Sequence, residues 1–384
     1  LPEFELYGHA AIREANRTLF GRAEVPHYDI AGSDFLLTVG ADILETFVSP
    51  VRFTKELGRA RKQSGFYWVH AEPHASLTGF KADRRLTVKP GSEADFLALL
   101  YSELAQNKIF AIKPIPADPV AATGVSMETI KELAEKLIAA KRPLLIVGGV
   151  STGTANGPDV ARLAAIIQWG CGMVGTTVDF SRSENFASVG SMHDMVGLGQ
   201  RLQQGSVGAL FVSRTDPVTT VALDLSKAAL RVGLGDTMTT TMEKCDIVLP
   251  LSHALESWGD AQPRKGVRTL IRPAMKTLYD TRTEGDILLQ LMKARGAATP
   301  SETFEQYLFL QVGKRSADLL AAGYLVETVQ EEPVRLDDRA VSEWKPSAGR
   351  PTGMALLVVP SPRSFDGRSR DLALLREVAD PLTT

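Results

Sequence analysis

Histidines, cysteines and paired carboxylates carry most acid–base, nucleophilic and metal chemistry, and in this sequence they are few and poorly spaced. His70 and His74 have the i, i+4 spacing of a helical two-histidine metal site. However, His70 ends an apolar run that reads as a strand, and Pro73 interrupts the segment, so helical ligand geometry is not expected. His193 and His253 stand alone and read as surface or packing residues. Glu256 and Asp260 would suggest an acid–base pair, but Trp258 and Gly259 between them indicate a structured turn. The only cysteines, Cys171 and Cys245, lie far apart in apolar or helical stretches. A cysteine-ligated iron-sulfur cluster or structural zinc is therefore excluded within this chain, and both read as small buried hydrophobes. No catalytic residue and no metal ligand is assigned.

Anion binding by backbone N–H groups is the chemistry that remains. In open parallel sheets ligands sit beyond the carboxyl ends of the strands, where loops and helix amino-termini point N–H groups outward. Four loops qualify: Gly40-Ala41-Asp42, Ala71-Glu72-Pro73 with Ser76 and Thr78, Gly148 to Gly153, and Ser213 to Pro217. None has the G-x-G-x-x-G spacing of a dinucleotide fold or a P-loop, so NAD and ATP are not expected. Taken singly, each loop is a plain strand-to-helix connection, because glycine serves tight turns everywhere.

The elements that would position these loops follow from hydrophobic patterning. Asp34 to Gly40 (DFLLTVG) is a continuous apolar run ending in glycine, the mark of a parallel strand buried on both faces. A helix over 50–65, strands over 66–71 and 85–88, and an amphipathic helix over 94–107 follow it. This strand–helix alternation predicts a right-handed parallel α/β unit. The pattern restarts with a helix at 127–140, a strand at 143–149 (PLLIVGG) and a helix at 158–169, then strands at 208–213, 229–233 and 246–250. The expected division is a first Rossmann-like domain over 1–125, with possible residues from about 270–330, and a second over 126–295. A helical or irregular connection over 296–349 follows, and then 350–384, where Met354 to Pro360 (MALLVVP) reads as the strand opening a truncated cap domain.

Composition narrows the partners. At 384 residues the chain exceeds a usual single core, and 43 Lys plus Arg nearly cancel 45 Asp plus Glu. No chain-wide basic field exists to hold nucleic acid. No run of about 18 apolar residues appears, so no bilayer-spanning segment is expected in this chain. The opening Leu1-Pro2-Glu3-Phe4, without initiator methionine or leader, is read as a processed product or interior segment.

Several segments taken together resemble the molybdopterin oxidoreductases. YGHAAIREANRTLFG and DIAGSDFLLTVGADILET are similar to the helix and first strand of that family's second domain. HAEPHASLTGFKADRRLTVKPGSEADFLALL is similar to its strand, proline-containing loop and "PGTD" turn. ALFVSRTDPVTT stands in the place of its "NP" loop, and GLGDTMTTTMEKCDIVLPLSHALESWGD in the place of its Thr-x-Thr, "ADVVLP" and "LExxG" stretch. The resemblance covers roughly residues 4 to 293. It implies an α/β fold of two Rossmann-like parallel-sheet domains (the formate dehydrogenase/DMSO reductase second and third domains), with the start of a β-barrel-like cap at the carboxyl end. In the family these domains hold the guanine dinucleotide tails of a molybdenum cofactor. If such a tail is bound here, the matching positions are Asp42, Ser76, Ser92, Glu93, Thr239 and Thr241.

The departures are specific. Residues 1–12 contain no cysteine, selenocysteine, serine or aspartate, the family's molybdenum ligands. Gly235 stands where a strand-ending aspartate is expected, with Asp236 one residue late, and Asp216 replaces the asparagine of the "NP" loop. That last change places a negative charge where a phosphate-bearing tail would lie. Pro263 to Val267 replaces the family's Asn-x-Glu-Gly-Arg.

This wording is similar to a branch containing the large subunits of alternative complex III and menaquinone reductase complexes, which keep the fold without molybdopterin. The branch implies a membrane-associated, quinone-coupled electron-transfer complex on the periplasmic face. No cofactor is then expected in this chain. Its partners are iron-sulfur and haem-containing subunits or domains and membrane quinone-binding subunits. The alternative is the core of an active molybdopterin guanine dinucleotide oxidoreductase acting on a sulfur oxyanion, polysulfide or formate. A third reading is an interaction scaffold with no redox role.

Overall fold

The computed structural model describes residues 3–107, 123–186, 188–330, 333–345, 354–365 and 372–378. The chain divides into two compact units. The larger comprises 5–189 with 330–384, and the smaller comprises 1–4 with 190–329.

In the larger unit the apolar runs become strands buried on both faces. Helix α1 (Ala10–Phe20) precedes β1 (Val25–Tyr28) and β2 (Phe35–Val39). There follow α2 (Pro50–Ala60), β3 (Tyr67–Glu72), α3 (Leu77–Lys81), β4 (Arg84–Thr87) and α4 (Glu93–Gln106). The series closes with α5 (Met127–Ala139), β5 (Pro143–Val147), α6 (Gly157–Gly170) and β6 (Val178–Glu184). Strands β4, β3, β2 and β5 pair in that order, all parallel. Leu36, Leu37, Val69, Leu144 and Leu145 are completely shielded from solvent, as a parallel sheet covered on both faces requires. Helix α1 packs on α6, and α4 packs on α5 and α6. An antiparallel ribbon of β1 with β6 completes the unit. Sequence patterning did not find this ribbon, because Val25–Tyr28 contains Pro26 and His27 and does not alternate.

The expected boundary between 125 and 126 is corrected by the sheet itself. β5, assigned by sequence to the second domain, pairs along its whole length with β2 of the first, Phe35 opposite Pro143 through Val39 opposite Val147. A fully buried strand carries no mark of which sheet it joins, so periodicity alone placed it wrongly. The chain leaves this unit only at 189–190.

The smaller unit holds a second parallel sheet. Helix α7 (Met192–Gln203) leads into β7 (Leu210–Ser213), α8 (Pro217–Thr220), β8 (Arg231–Gly235) and β9 (Ile247–Pro250). The sheet order is β9, β8, β7. Gly233 at its centre cannot carry a Cβ, which would lie 2.3 Å from Met242 Sδ. Hairpin strands β10 (Gly259–Arg264) and β11 (Val267–Ile271) follow, then α9 (Glu284–Ala294), α10 (Phe304–Val312), α11 (Ser316–Ala322) and β12 (Tyr324–Val326). β12 pairs antiparallel with β11, so the stretch expected to be a helical connection also contributes a strand.

Residues 354–360 form no strand. Met354 and Leu356 are exposed, and only a bridge between Ser361 and Phe365 forms nearby. Among the described residues this apolar run has no neighbouring strand to take up its backbone N–H and C=O groups, which is why the expected strand is missing.

Candidate functional site

The order β4-β3-β2-β5 reverses direction between β2 and β5, so the loops after these two strands flank the topological switch point, the usual ligand crevice of an open α/β sheet. Two of the four candidate loops meet there, and they meet in contact. A Cβ on Gly40 would fall 2.6 Å from Ser151 Cβ, and one on Gly149 would fall 2.5 Å from the Gly40 carbonyl oxygen. Both glycines have positive φ, 63° and 55°. Ser151 Oγ, fully buried, lies 2.9 Å from the carbonyl oxygens of both Val39 and Gly148.

Phe47 covers Gly148 directly. A Cβ there would sit 2.1 Å from Phe47 Cε2. Its ring is held by Phe53 and Tyr28 and by the edge of His9, whose other neighbour is Phe186. His9 adopts a left-handed backbone at φ 53°, and burial followed by the Arg13 charge lowers its pKa to about 4. A neutral aromatic stack therefore packs against Gly148.

Asp42 sits in the first of these loops. Its carbonyl accepts the N–H groups of Thr46 and Phe47, and its carboxylate accepts the hydroxyl of Thr78. Thr78 Oγ1 in turn accepts the Leu44 N–H at 3.1 Å. Ser76 is the N-cap of α3: its Oγ accepts the Gly79 N–H at 3.0 Å, and its own N–H donates to Glu72 Oε1 at 3.1 Å.

Glu72 ends a buried polar chain. Trp68 Nε1–H donates to Thr38 Oγ1 at 2.9 Å, Thr38 Oγ1 lies 2.6 Å from His70 Nδ1, and His70 Nε2 lies 3.0 Å from Glu72 Oε2. His70 thus links the Thr38 hydroxyl to the Glu72 carboxylate through its two ring nitrogens. Arg85 Nε donates to Glu72 Oε1 at 2.6 Å. Burial pushes the Glu72 carboxyl up, but the hydrogen bond and charge of His70, with hydrogen bonds from Ser76 and Arg85, outweigh it and hold the pKa at about 2. His70 is thus a structural link and shares no ligand set with His74.

Ser92 and Glu93 occupy the next turn. Ser92 Oγ donates to the Lys89 carbonyl at 2.8 Å, and Asn156 Nδ2, at the start of α6, donates to the Gly91 carbonyl at 2.7 Å. Glu93 begins α4 and is completely buried, yet neither carboxyl oxygen has a hydrogen-bond partner. Burial raises its pKa to about 7. The nearby N–H groups of Glu93 and Gly91 oppose that shift only in part.

In the smaller unit Thr241 is buried against Asp216. Its N–H and hydroxyl both donate to Asp216 Oδ1, at 3.0 and 2.5 Å, and its Oγ accepts the Val218 N–H at 3.2 Å. Thr239 Oγ accepts the Met242 N–H at 3.3 Å. Asp236 is exposed, 3.9 Å from Arg214.

The structure thus joins Asp42 to Ser76 through the Thr78 segment, keeps Ser92 and Glu93 adjacent, and engages Thr239 and Thr241 in their own turn. Sequence reasoning missed Phe47, His9 and the role of Glu72. For Glu72 there was a signal: an acid closing a strand buried on both faces must find partners. For Phe47 there was none, since an aromatic in a loop does not announce what it covers.

At the switch point Phe47 and Ser151 pack against Gly148 and Gly40, where an added Cβ would clash; in the smaller unit, separately, Asp216 presents a carboxylate already bound to Thr241. Among the described residues, the Glu93 carboxyl retains unpartnered buried acceptors, as does the Ser213 hydroxyl in the fourth candidate loop.

The family model described as molybdopterin oxidoreductase matches residues 10–294. A "Menaquinone reductase, molybdopterin-binding-like subunit" from Nitratidesulfovibrio vulgaris is 26% identical over 335 residues, covering 76% of this chain and 47% of that protein. Among solved structures, acetylene hydratase from Pelobacter acetylenicus superposes with a TM-score of 0.58 at 15% identity, covering 75% of this chain and 50% of the other. The chain spans about half the length of these relatives.

Proposed function

The chain belongs to the molybdopterin oxidoreductase family, and from that premise we propose that it serves as a cofactor-free subunit of a quinone-coupled electron-transfer complex at a membrane. The observation that supports this reading is the packing at the switch point, with Phe47 on Gly148 and Ser151 against Gly40. A dinucleotide phosphate needs close approach to glycine backbone, and here side chains of the same unit pack against those glycines. The likeness to a menaquinone reductase subunit supports the same assignment, and supports menaquinone as the quinone.

In this reading the fold acts as a scaffold. Electrons pass through iron-sulfur clusters and haems carried by other domains or subunits, and a membrane subunit binds the quinone, with the assembly on the periplasmic face. No helix among the described residues is long and apolar enough to cross a membrane; in this reading a membrane subunit provides the attachment. Metal analysis with pterin extraction on the purified complex tests this. Absence of molybdenum and of pterin fluorescence attributable to this subunit is expected, and stoichiometric molybdenum bound to it overturns the proposal.

One observation favours the second reading, an active dinucleotide-binding oxidoreductase core acting on a small substrate: the Glu93 carboxyl is fully buried with both oxygens unpartnered. There Asp42, Ser76, Ser92, Glu93, Thr239 and Thr241 would line the tails. If so, Glu93→Gln lowers molybdopterin occupancy in the purified protein. Occupancy that is measurable but unaltered removes Glu93 from that role.

A further inference from the structure

On the larger unit, away from the switch point, α1, α6 and the short helix Asp338–Ser342 border an open cleft of about 490 Å³. The short helix is firmly seated. The Asp337 N–H donates to the Leu19 carbonyl at 2.8 Å, the Asp337 carboxylate caps the N–H groups of Arg339 and Ala340, and Val341 is buried in the core. Glu343 and Trp344 are therefore presented from a fixed element.

Three guanidinium groups line the cleft, and they differ. Arg17 is paired in bidentate fashion with Glu14, at 2.6 and 2.8 Å. Arg339 is paired with Glu343 at 2.7 Å. Arg162 lies over the Trp344 ring, 5.6 Å from its centroid, and is only partly exposed. Among the described residues it has no hydrogen bond or ion pair. Stacking satisfies the face of a guanidinium but leaves its in-plane N–H donors unmatched. Withdrawing such donors from water without acceptors is unfavourable, so the arrangement suits an acceptor arriving from outside.

We propose that this cleft docks an acidic side chain of a protein partner, its carboxylate seated on the in-plane edge of Arg162 with Arg17 alongside. The fork geometry of a guanidinium matches the two oxygens of a carboxylate. Inorganic phosphate has no hydrocarbon stem to lie against the Trp344 ring, so it gains less in this cleft than a carboxylate carried on a side chain. The cleft is open to solvent, and the three arginines are offset by Asp337, Glu343 and the adjoining Glu14. A free small carboxylate would gain little there, whereas a partner side chain adds contacts between its stem and the indole. The proposal does not depend on whether the switch point is closed.

Tryptophan emission of the full chain can be titrated at low ionic strength with a blocked tetraglutamate peptide. Blocked tetraglutamine, glutarate and inorganic phosphate serve as the other arms. Saturable binding of tetraglutamate alone is expected, weakened by salt, with affinity lowered about 10-fold or more by Arg162→Met and less by Arg162→Lys. Trp344→Phe should remove the optical signal while calorimetry still detects binding. Arg17→Gln, which should also weaken binding, gives the same answer if Arg162→Met does not fold. Phosphate or glutarate binding as tightly as the peptide overturns the proposal, as does peptide binding indifferent to both variants, or no binding at all.

Discussion

Two glutamates of the larger unit are both shielded from solvent and meet opposite fates. Glu72, closing β3, receives His70, Ser76 and Arg85, and its pKa is held at about 2. Glu93, opening α4, receives no hydrogen bond at its carboxyl, and burial raises its pKa to about 7. Burial is common to both, so it does not decide the charge; the supply of donors does. Around Glu72 the fold has built a satisfied network that fixes the loop carrying Ser76. Around Glu93 it has left acceptors free beside the turn that the family uses for its cofactor. The two carboxyls thus differ: one is held in a satisfied network, the other is left unmatched.

Breaking the Glu72 network gives the largest expected effect. Glu72→Ala leaves the buried His70 ring, the Ser76 N–H and the part-exposed Arg85 without their acceptor, and such losses together cost about 3–4 kcal/mol. Glu72→Gln keeps the shape but loses the charge, and should cost less, about 1–3 kcal/mol. Denaturant melts at neutral pH check both, and equal small losses would mean the network contributes little. Because the folded pKa of Glu72 lies below its ordinary 4.5, its contribution is present above that value and is lost as pH falls toward about 2. Acid unfolding of the wild type should therefore be steeper in that window than that of Glu72→Gln.

Much of this fold was legible in the sequence. FLLTV and PLLIV are strands because nearly every side chain in them is apolar, YWVHAE joins them with His70 and Glu72 supplied with buried partners, and the expected helices over 50–65, 94–107 and 127–140 appear within about five residues of their predicted ends. Which sheet PLLIV joins was not legible, since a strand buried on both faces has no polar side to orient it. The sequence singles out the loops and the residues Asp42, Ser76, Ser92, Glu93, Thr239 and Thr241, but not the packing around them. That Phe47 would lie on Gly148 depends on a loop turning back through three bonds to the Asp42 carbonyl, from Glu45, Thr46 and Phe47, a long-range consequence with no local signature.

Glu93 sharpens the comparison in the opposite direction. Its folded pKa is raised, so the stability it allows is fully present below about 4.5 and is lost as pH rises through about 7. The shift corresponds to about 3 kcal/mol for a fully buried group. Glu93→Gln, which cannot ionise, should flatten the stability profile between those pH values and exceed the wild type at pH 8 relative to pH 5. If chemical denaturation gives parallel profiles for the two proteins, the carboxyl has found donors and the contrast with Glu72 collapses.

The smallest effect tests whether the smaller unit repeats the satisfied pattern or the unsatisfied one. Asp216 stands where the family resemblance places an asparagine, and its carboxylate is met by both the N–H and the hydroxyl of Thr241. Thr241→Val conserves volume and the backbone donor. It removes the hydroxyl that donates to Asp216 and accepts from the Val218 N–H, which should cost about 1–2 kcal/mol in a thermal or denaturant melt. Asp216→Asn restores the residue type of the family while keeping an acceptor for the Thr241 N–H, so it should cost less than Thr241→Val. The reverse order would mean that the negative charge, and not the hydrogen-bonded turn, is what this position requires. Asp216 would then have been selected for a partner outside the unit.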